Sequence, residues 1–217
     1  MPDWGEIFAA PEMQRLRPNP EFLAILPEVK AAGGRLVLDA GCGAGRHLLP
    51  LAQEGFQVWG VDREAPVLAM LQGKLRAAAV PARLVLADLG RLPFGAGSFD
   101  LAVSINVVNH GLARTFEQYC RELDRVLRPG GHLFVYLSPK EAGDLVRLPG
   151  TVELEPNTLV NIATPDGDII HHFPTPPEIL GQFPGYRILR GETILAPIPF
   201  MAGRKMPQFV LWARKSG

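Results

Sequence analysis

The densest group of chemically useful residues is Val37-Leu38-Asp39-Ala40-Gly41-Cys42-Gly43-Ala44-Gly45-Arg46. An apolar run that ends in glycines before a helix lets a ligand approach the backbone and leaves helix N-terminal amides free to meet it. Dinucleotide-binding turns use the same device in the pattern G-x-G-x-x-G. That pattern demands glycine at 46, where Arg46 stands, and Asp39 precedes the first glycine by two residues. A carboxylate at that point repels a pyrophosphate and suits a ligand that brings positive charge. Two further acids repeat the placement. Asp62 closes Val58-Trp59-Gly60-Val61-Asp62, where an acid can accept hydrogen bonds from both hydroxyls of a ribose, and Asp88 closes a third run. A single aspartate at a strand end is usually a cap or turn former. Three at one sheet edge, beside a glycine turn, describe a cradle for a positively charged nucleoside.

Histidine is the side chain whose charge changes nearest neutral pH, so the histidines are the candidates for moving a proton. His110 follows Val107-Val108-Asn109, just past the fourth apolar run, and belongs beside the cradle. His171 and His172 are adjacent at the end of an insertion, and on a strand one should point inward and the other outward. These three are the candidate catalytic residues. An adjacent histidine pair can also hold a metal, but no third ligand stands at useful spacing, so no metal is assigned. His47 reads as a surface or packing residue and His132, starting a buried strand, as a structural one.

Positioning these residues takes alternating strands and helices. Asn19-Pro20-Glu21 has the form of an N-cap, a first-turn proline and a first-turn acid, so a helix should run over 20–32, kinked at Pro27 and stopped by Gly33-Gly34. Strands fall at 35–39, 57–62, 83–87, 100–105 and 132–137, and helices at 46–54 and 65–78. A further helix opens on a capping box at Thr115-Phe116-Glu117-Gln118, ends at Pro129-Gly130-Gly131, and carries Phe116, Tyr119, Cys120, Leu123, Val126 and Leu127 on one apolar stripe. The alternation implies a doubly wound α/β fold, a parallel sheet with helices on both faces. A second capping box, Thr175-Pro176-Pro177-Glu178, opens a short helix, after which 186–194 and 208–214 read as an antiparallel hairpin at the end of the sheet.

Residues 139–174 fit no crossover helix. Strands at 158–163 and 168–173 around Pro165-Asp166-Gly167 read as an inserted hairpin, either a lid on the ligand edge or a cover for the sheet. The expected organisation is a single domain, 1–217, with an N-terminal helical segment 1–34 and the inserted lid hairpin 139–174. Trp4, Phe8 and Arg15 either close over the ligand or dock a helix on the sheet.

Composition narrows the function. The chain has 217 residues, 47% of them hydrophobic and 20% charged, which suits a soluble domain and excludes a disordered one. Lys+Arg and Asp+Glu balance at 22 each, and the missing basic surplus argues against nucleic acid or an anionic membrane as partner. Arg204, Lys205, Arg214 and Lys215 read as a solvated face. Two cysteines, Cys42 and Cys120, cannot make a disulfide framework or a cysteine zinc site. Met1-Pro2-Asp3-Trp4-Gly5-Glu6 is acidic and unlike a secretory signal, and no apolar run approaches the ~18–20 residues that span a bilayer, so a soluble cytoplasmic chain is expected.

Over roughly residues 36–137 the chain resembles the class I S-adenosylmethionine-dependent methyltransferases. The motifs that carry the resemblance are the glycine turn with Asp39, Gly60-Val61-Asp62, Ala87-Asp88-Leu89 with Leu92-Pro93-Phe94, Phe99-Asp100-Leu101-Ala102-Val103-Ser104 and Leu127-Arg128-Pro129-Gly130-Gly131, in the family's order and spacing. The resemblance implies a mostly parallel seven-stranded sheet of order 3-2-1-4-5-7-6 with strand 7 antiparallel, and S-adenosyl-L-methionine as cofactor. It implies that Asp39, Ala40, Gly41, Cys42, Gly43 and Gly45 hold the methionine end, that Asp62 takes the ribose and Arg63 flanks the adenine, and that Asp88 and Leu89 meet its amino edge. Ser104, Ile105 and Asn106 should pass beside the sulfur. Related small-molecule enzymes carry a similar His-His-Phe ahead of the last helix, as His171-His172-Phe173 does here.

Methyl transfer from a sulfonium destroys a cation, so alignment of nucleophile, carbon and sulfur matters more than added charge; positioning can supply ~7–11 kcal/mol. A general base is needed only where the acceptor must lose a proton, and is worth ~10²–10⁴-fold. The charge balance favours a small-molecule acceptor, and no Asn-Pro-Pro-Tyr follows the fourth strand, where Ser104-Ile105-Asn106-Val107 stands. The expected protein is a methyltransferase acting on a small molecule, as a monomer or homodimer. The alternatives are a cofactor-binding protein of the same fold without catalysis, and a dinucleotide oxidoreductase, which Arg46 and Asp39 disfavour.

Overall fold

Side-chain alternation along the central strands divides the core into two layers, and the elements follow from it. The computed structural model describes residues 4–197 and 204–217. Residues 1–3, the start of the segment read as helical, lie outside the described residues. Four short helices come first: α1 (Trp4–Ala9), α2 (Pro11–Gln14), α3 (Pro20–Leu23) and α4 (Leu26–Ala31). Then follow β1 (Leu36–Ala40), α5 (Leu48–Gln53), β2 (Gln57–Asp62), α6 (Ala65–Ala78), β3 (Arg83–Leu86), a 3₁₀ turn (Leu89–Arg91), β4 (Phe99–Ile105), α7 (Ala113–Val126) and β5 (Leu127–Leu137). The remainder is α8 (Lys140–Leu145), β6 (Val152–Glu155), β7 (Thr158–Val160), β8 (His171–His172), α9 (Pro176–Gly181), β9 (Tyr186–Pro197) and β10 (Lys205–Lys215).

The main sheet has seven strands in the order β3-β2-β1-β4-β5-β10-β9. β1 through β5 pair in parallel, while β10 runs antiparallel to both β5 and β9. With only these seven strands counted, this is the expected order 3-2-1-4-5-7-6. Leu133, Val135 and Leu137 of β5 pack with Phe116, Tyr119 and Leu123 of α7, and Phe134 and Tyr136 pack on the opposite face with Phe22, Leu48 and Leu71. A sheet covered on both faces reads as a continuous apolar run, and β5 is that strand. Each large side chain fully buried here contributes roughly 1.5–3 kcal/mol, so these layers fix which strand ends share an edge.

Several sequence expectations need correction. The helix over 20–32 is two helices, with Asn19 capping the first: its side chain accepts from Glu21 N and Phe22 N. Pro27 sits in the first turn of the second helix, where its missing N–H costs nothing. Thr115 does not cap α7; the helix starts two residues earlier, and Ala113 N donates instead to Glu155 Oε1 at 2.6 Å, an acid from the far insertion. α7 runs straight into β5, and residues 128–131 form an irregularity between the pairs Phe99–Leu127 and Leu101–His132.

The insertion is not one hairpin around Pro165-Asp166-Gly167. It opens with α8, and its strands form a second sheet of order β6-β7-β8. The tight turn is at Pro156-Asn157, with Asn157 left-handed at φ 60°, and Pro165-Asp166-Gly167 lies in the long loop before β8. Turn chemistry is present at both places, and pairing with a third strand decides between them.

Candidate active site

β1, β2 and β4 end on one edge of the sheet, and the loops after them, with the turn after β3, line a cavity of about 800 Å³. Open α/β sheets bind ligands at this edge, and the volume lies within the ~300–1,000 Å³ of ordinary ligand pockets.

The glycine turn is tied down at both ends. Gly41 N and Cys42 N both donate to Val61 O, at 2.8 and 3.0 Å. Gly43 N donates to Asp62 Oδ2 at 2.9 Å, and Glu64 N donates to Asp62 Oδ1 at 3.1 Å. Gly45 has φ +85° and lies so close to α6 that an added Cβ would sit 2.2 Å from Leu71 Cδ1. The turn therefore requires glycine for both conformation and space. Burial raises the Asp62 carboxyl from its ordinary range, and the amides of Gly43 and Glu64 oppose that rise.

Gly41, Cys42, Gly43, Gly45, Asp62, Arg63, Asp88, Leu89, Ile105 and Asn106 all line the cavity. Asp88 caps the 3₁₀ turn through Gly90 N at 2.7 Å, and the Tyr119 hydroxyl approaches its other oxygen at 3.4 Å. Asp39 and Ala40 are different: both are buried behind the turn and neither lines the cavity. Asp39 Oδ2 has no hydrogen-bond partner among the described residues. Burial, then the charge of Asp62, raises the Asp39 carboxyl to about 7, against the pull of Arg46. A buried carboxylate oxygen left without a donor calls for a cationic or N–H group. Cys42 is no nucleophile, because burial pushes its thiol well above the usual range.

The other end of the cavity is assembled from distant segments. The loop after β4 and the insertion join through the backbone: Gly111 N donates to Ile170 O and His172 N to Asn109 O, each at 2.8 Å, with an isolated bridge between His110 and His171. This brings His110, His171 and Asp166 together at the cavity wall. Asp166 Oδ2 lies 3.6 Å from His110 Nε2 and 3.3 Å from His171 Nε2. Burial, then the neighbouring His171, hold the His110 ring down to about 3, so it is a neutral imidazole at physiological pH. Burial would raise the Asp166 carboxyl, but the two histidines beside it hold it well below the usual carboxylate range.

His172 has a different place. Its Nδ1 lies 2.8 Å from Thr158 Oγ1, its Nε2 lies 2.9 Å from Glu178 Oε1, and its ring packs on Phe116. It does not line the cavity and it does not reach solvent: both histidines of the pair are buried. The inward residue is His171, and His172 ties the insertion to α9 and its capping box. His47 and His132 are likewise buried. His47 Nε2 accepts from Asn19 N at 3.1 Å while its ring packs on Phe22, and His132 Nδ1 accepts from Trp212 Nε1.

α1 adds Trp4 and Phe8 to the cavity wall. Trp4 stacks on His110 with ring centroids 5.7 Å apart, and the Phe8 ring lies over the turn, where a Cβ at Gly43 would approach it to 2.8 Å. Arg15 is exposed and does not line the cavity. Sequence reading missed Asp166, taken as a turn residue, and Arg46, taken only as a departure from a glycine pattern. It also missed Tyr136, Asn109 and Gln208, which line the cavity; Asn109 Oδ1 and Gln208 Oε1 are buried without hydrogen-bond partners among the described residues.

A family model described as a methyltransferase domain matches residues 38–135. That segment is a class I methyltransferase domain. A ubiquinone biosynthesis O-methyltransferase from Marinobacter nauticus is 32% identical over 120 residues, covering 54% of this chain and 50% of the relative. A tRNA U34 carboxymethyltransferase from Idiomarina loihiensis is 31% identical over 137 residues, covering 58% of this chain and 40% of the relative. The chain thus spans about half the length, or less, of the curated relatives it matches. A solved S-adenosylmethionine-dependent methyltransferase from Methanosarcina mazei superposes with a TM-score of 0.74 at 22% identity, covering 93% of this chain and 99% of that one. The methyltransferase fold therefore extends well past the matched segment. Among the described residues no helix is long and apolar enough to cross a membrane.

Proposed function

We propose that this chain transfers a methyl group from S-adenosylmethionine to a small-molecule acceptor bound between the glycine turn and His110. The observation that carries the reading is one continuous cavity with Asp62 and the turn at one end and the His110–Asp166–His171 wall at the other. The residues present fit the cofactor: a glycine turn without side chains, an acid at the ribose position, and the unpartnered Asp39 oxygen beneath them. When bound, S-adenosylmethionine supplies a methyl group on a positively charged sulfur.

The chain's own residues do the rest. Asp62 holds the turn through Gly43 N and keeps lone pairs for ribose hydroxyls, and Asp88 faces the cavity beside it. Trp4 and Phe8 exclude water from above, which strengthens every polar contact inside. The neutral His110 ring orients the acceptor at the cavity wall. The acceptor is assigned as a small molecule because α1 and the insertion close over a cavity of about 800 Å³ and the net charge is zero. A phosphate backbone needs a basic surface. The two unpaired buried cysteines suit a cytoplasmic setting.

Titration calorimetry with S-adenosylhomocysteine, followed by incubation with labelled S-adenosylmethionine and a metabolite pool, tests the reading. Binding of one equivalent and transfer of label to a low-mass product are expected. Absence of binding, or labelling of tRNA in place of small molecules, overturns it.

A further inference from the structure

The wall formed by His110, Asp166 and His171 does more than a lone base requires. One ligand atom from each residue lies within 4.8 Å of the other two. A tetrahedral ion with bonds of ~2.0–2.1 Å spaces its ligand atoms ~3.4 Å apart. The distances from Asp166 Oδ2 to the two imidazole nitrogens, 3.3 and 3.6 Å, already match that spacing.

The hydrogen bonds fix the direction of the lone pairs. His171 Nδ1 lies 2.9 Å from Ile169 O, and a carbonyl can only accept, so Nδ1 carries the proton. In the neutral ring, Nε2 then turns a lone pair toward the Asp166 carboxylate. His110 Nε2 faces the same oxygen. The electron pairs of His171 Nε2 and Asp166 repel unless a proton or a metal ion sits between them. A ring N–H donated to a backbone carbonyl is also what orients histidines that ligate metals. Asp166 is pinned in turn: Gly167 N donates to Thr164 O, and Gly167 O accepts from Ile162 N, both at 3.0 Å.

We infer that His110 Nε2, Asp166 and His171 Nε2 form a binding site for a divalent transition-metal ion, with an open position facing the cavity. Two histidines and one carboxylate with an open position are a common catalytic zinc donor set. The open position would take the acceptor oxygen, which selects acceptors with an ionisable hydroxyl. Coordination acidifies that hydroxyl. Its proton leaves to water, and the oxygen forms the C–O bond as the S–C bond breaks, releasing a neutral thioether. This assignment of acceptor chemistry rests on the methyltransferase reading, whereas the metal site itself does not.

The test titrates Co²⁺ into chelator-treated protein and follows its visible ligand-field absorption, with Zn²⁺ as competitor and S-adenosylhomocysteine binding measured in parallel. One Co²⁺ per chain with a four-coordinate spectrum is expected. Asp166→Asn and His171→Gln should each weaken it by at least about tenfold, while the exposed Asp168→Asn binds like the parent. Retained S-adenosylhomocysteine affinity in the metal-free protein and the two variants shows that the fold is intact. No Co²⁺ binding, or binding undiminished in both variants, overturns the metal site and leaves the methyltransferase reading standing. Co²⁺ binding without S-adenosylhomocysteine binding upholds the site and overturns that reading.

Discussion

At the β1–β3 edge, the acids facing the cavity, Asp62, Glu64 and Asp88, stand within two residues of a strand end. At the β4–β10 edge, His110, Asp166 and His171 come from a loop, a ten-residue connection and a two-residue strand that belongs to another sheet. The first end is held by sheet register and by a carboxylate that binds the turn; the second is held by a few backbone hydrogen bonds between segments some 60 residues apart. On the proposed function, the nucleoside end is the stiff and generic one and the acceptor end the adjustable one. A fold that keeps one ligand and changes another benefits from that division.

The comparison breaks most visibly at Gly45. Gly45→Val forces a β-branched residue into φ +85° and against Leu71. Left-handed backbone costs ~1–2 kcal/mol and overpacking ~1–3 kcal/mol, so denaturant unfolding should show a loss of roughly 2–5 kcal/mol. An unchanged midpoint would mean the turn is not stiff. Asp62→Ala should weaken S-adenosylhomocysteine binding by ~1–3 kcal/mol, measured by calorimetry, while a substitution at His171 leaves that affinity nearly unchanged. Equal losses at both ends would erase the distinction between them.

The adjacent histidines sharpen it. His172→Ala leaves Thr158 and Glu178 without their partner and should lower stability by ~1–3 kcal/mol. His171→Ala should cost less stability and far more turnover. A reversed ranking, with thermal melts and initial rates compared side by side, would place the functional face on the wrong residue.

Asp39 gives the most specific effect, a dependence on pH. Its carboxyl is raised from 3.8 to about 7 in the fold. Between those values the native chain holds a proton that the unfolded chain has lost, so this group makes stability fall as pH rises from about 4 to about 7 and adds no slope above. Asp39→Asn should remove that decline, so that the variant gains on the parent across this window. A cationic ligand should also drive proton release below pH 7, visible as a buffer-dependent binding enthalpy. Parallel stability curves for parent and variant would count against the buried charge.

Much of the nucleoside end was legible because its signals are local. Strand period, glycine conformation and an acid at a strand end all act within about ten residues, and α6 and β2 fall where the pattern placed them. Errors arose where a local rule competed with a distant partner. Thr115 and Gln118 looked like a capping box, yet Glu155 from the insertion caps α7. Pro165-Asp166-Gly167 looked like a hairpin turn, yet pairing of β7 with β6 and β8 moved the turn to Pro156-Asn157 and freed Asp166 for the cavity. Asp39 was expected in the cavity lining and lies buried behind the glycine turn, because alternation along β1 decides which side of the strand end a side chain occupies.

From its residue order alone the chain specified a doubly wound sheet, the glycine turn and the acids that follow β2 and β3, since each depends on period and conformation over a few neighbours. The tertiary structure alone decided that His110, Asp166 and His171 share one wall while His172 turns away. Their meeting depends on a strand bridge between distant loops, and a bridge of that kind leaves no periodic trace in either segment.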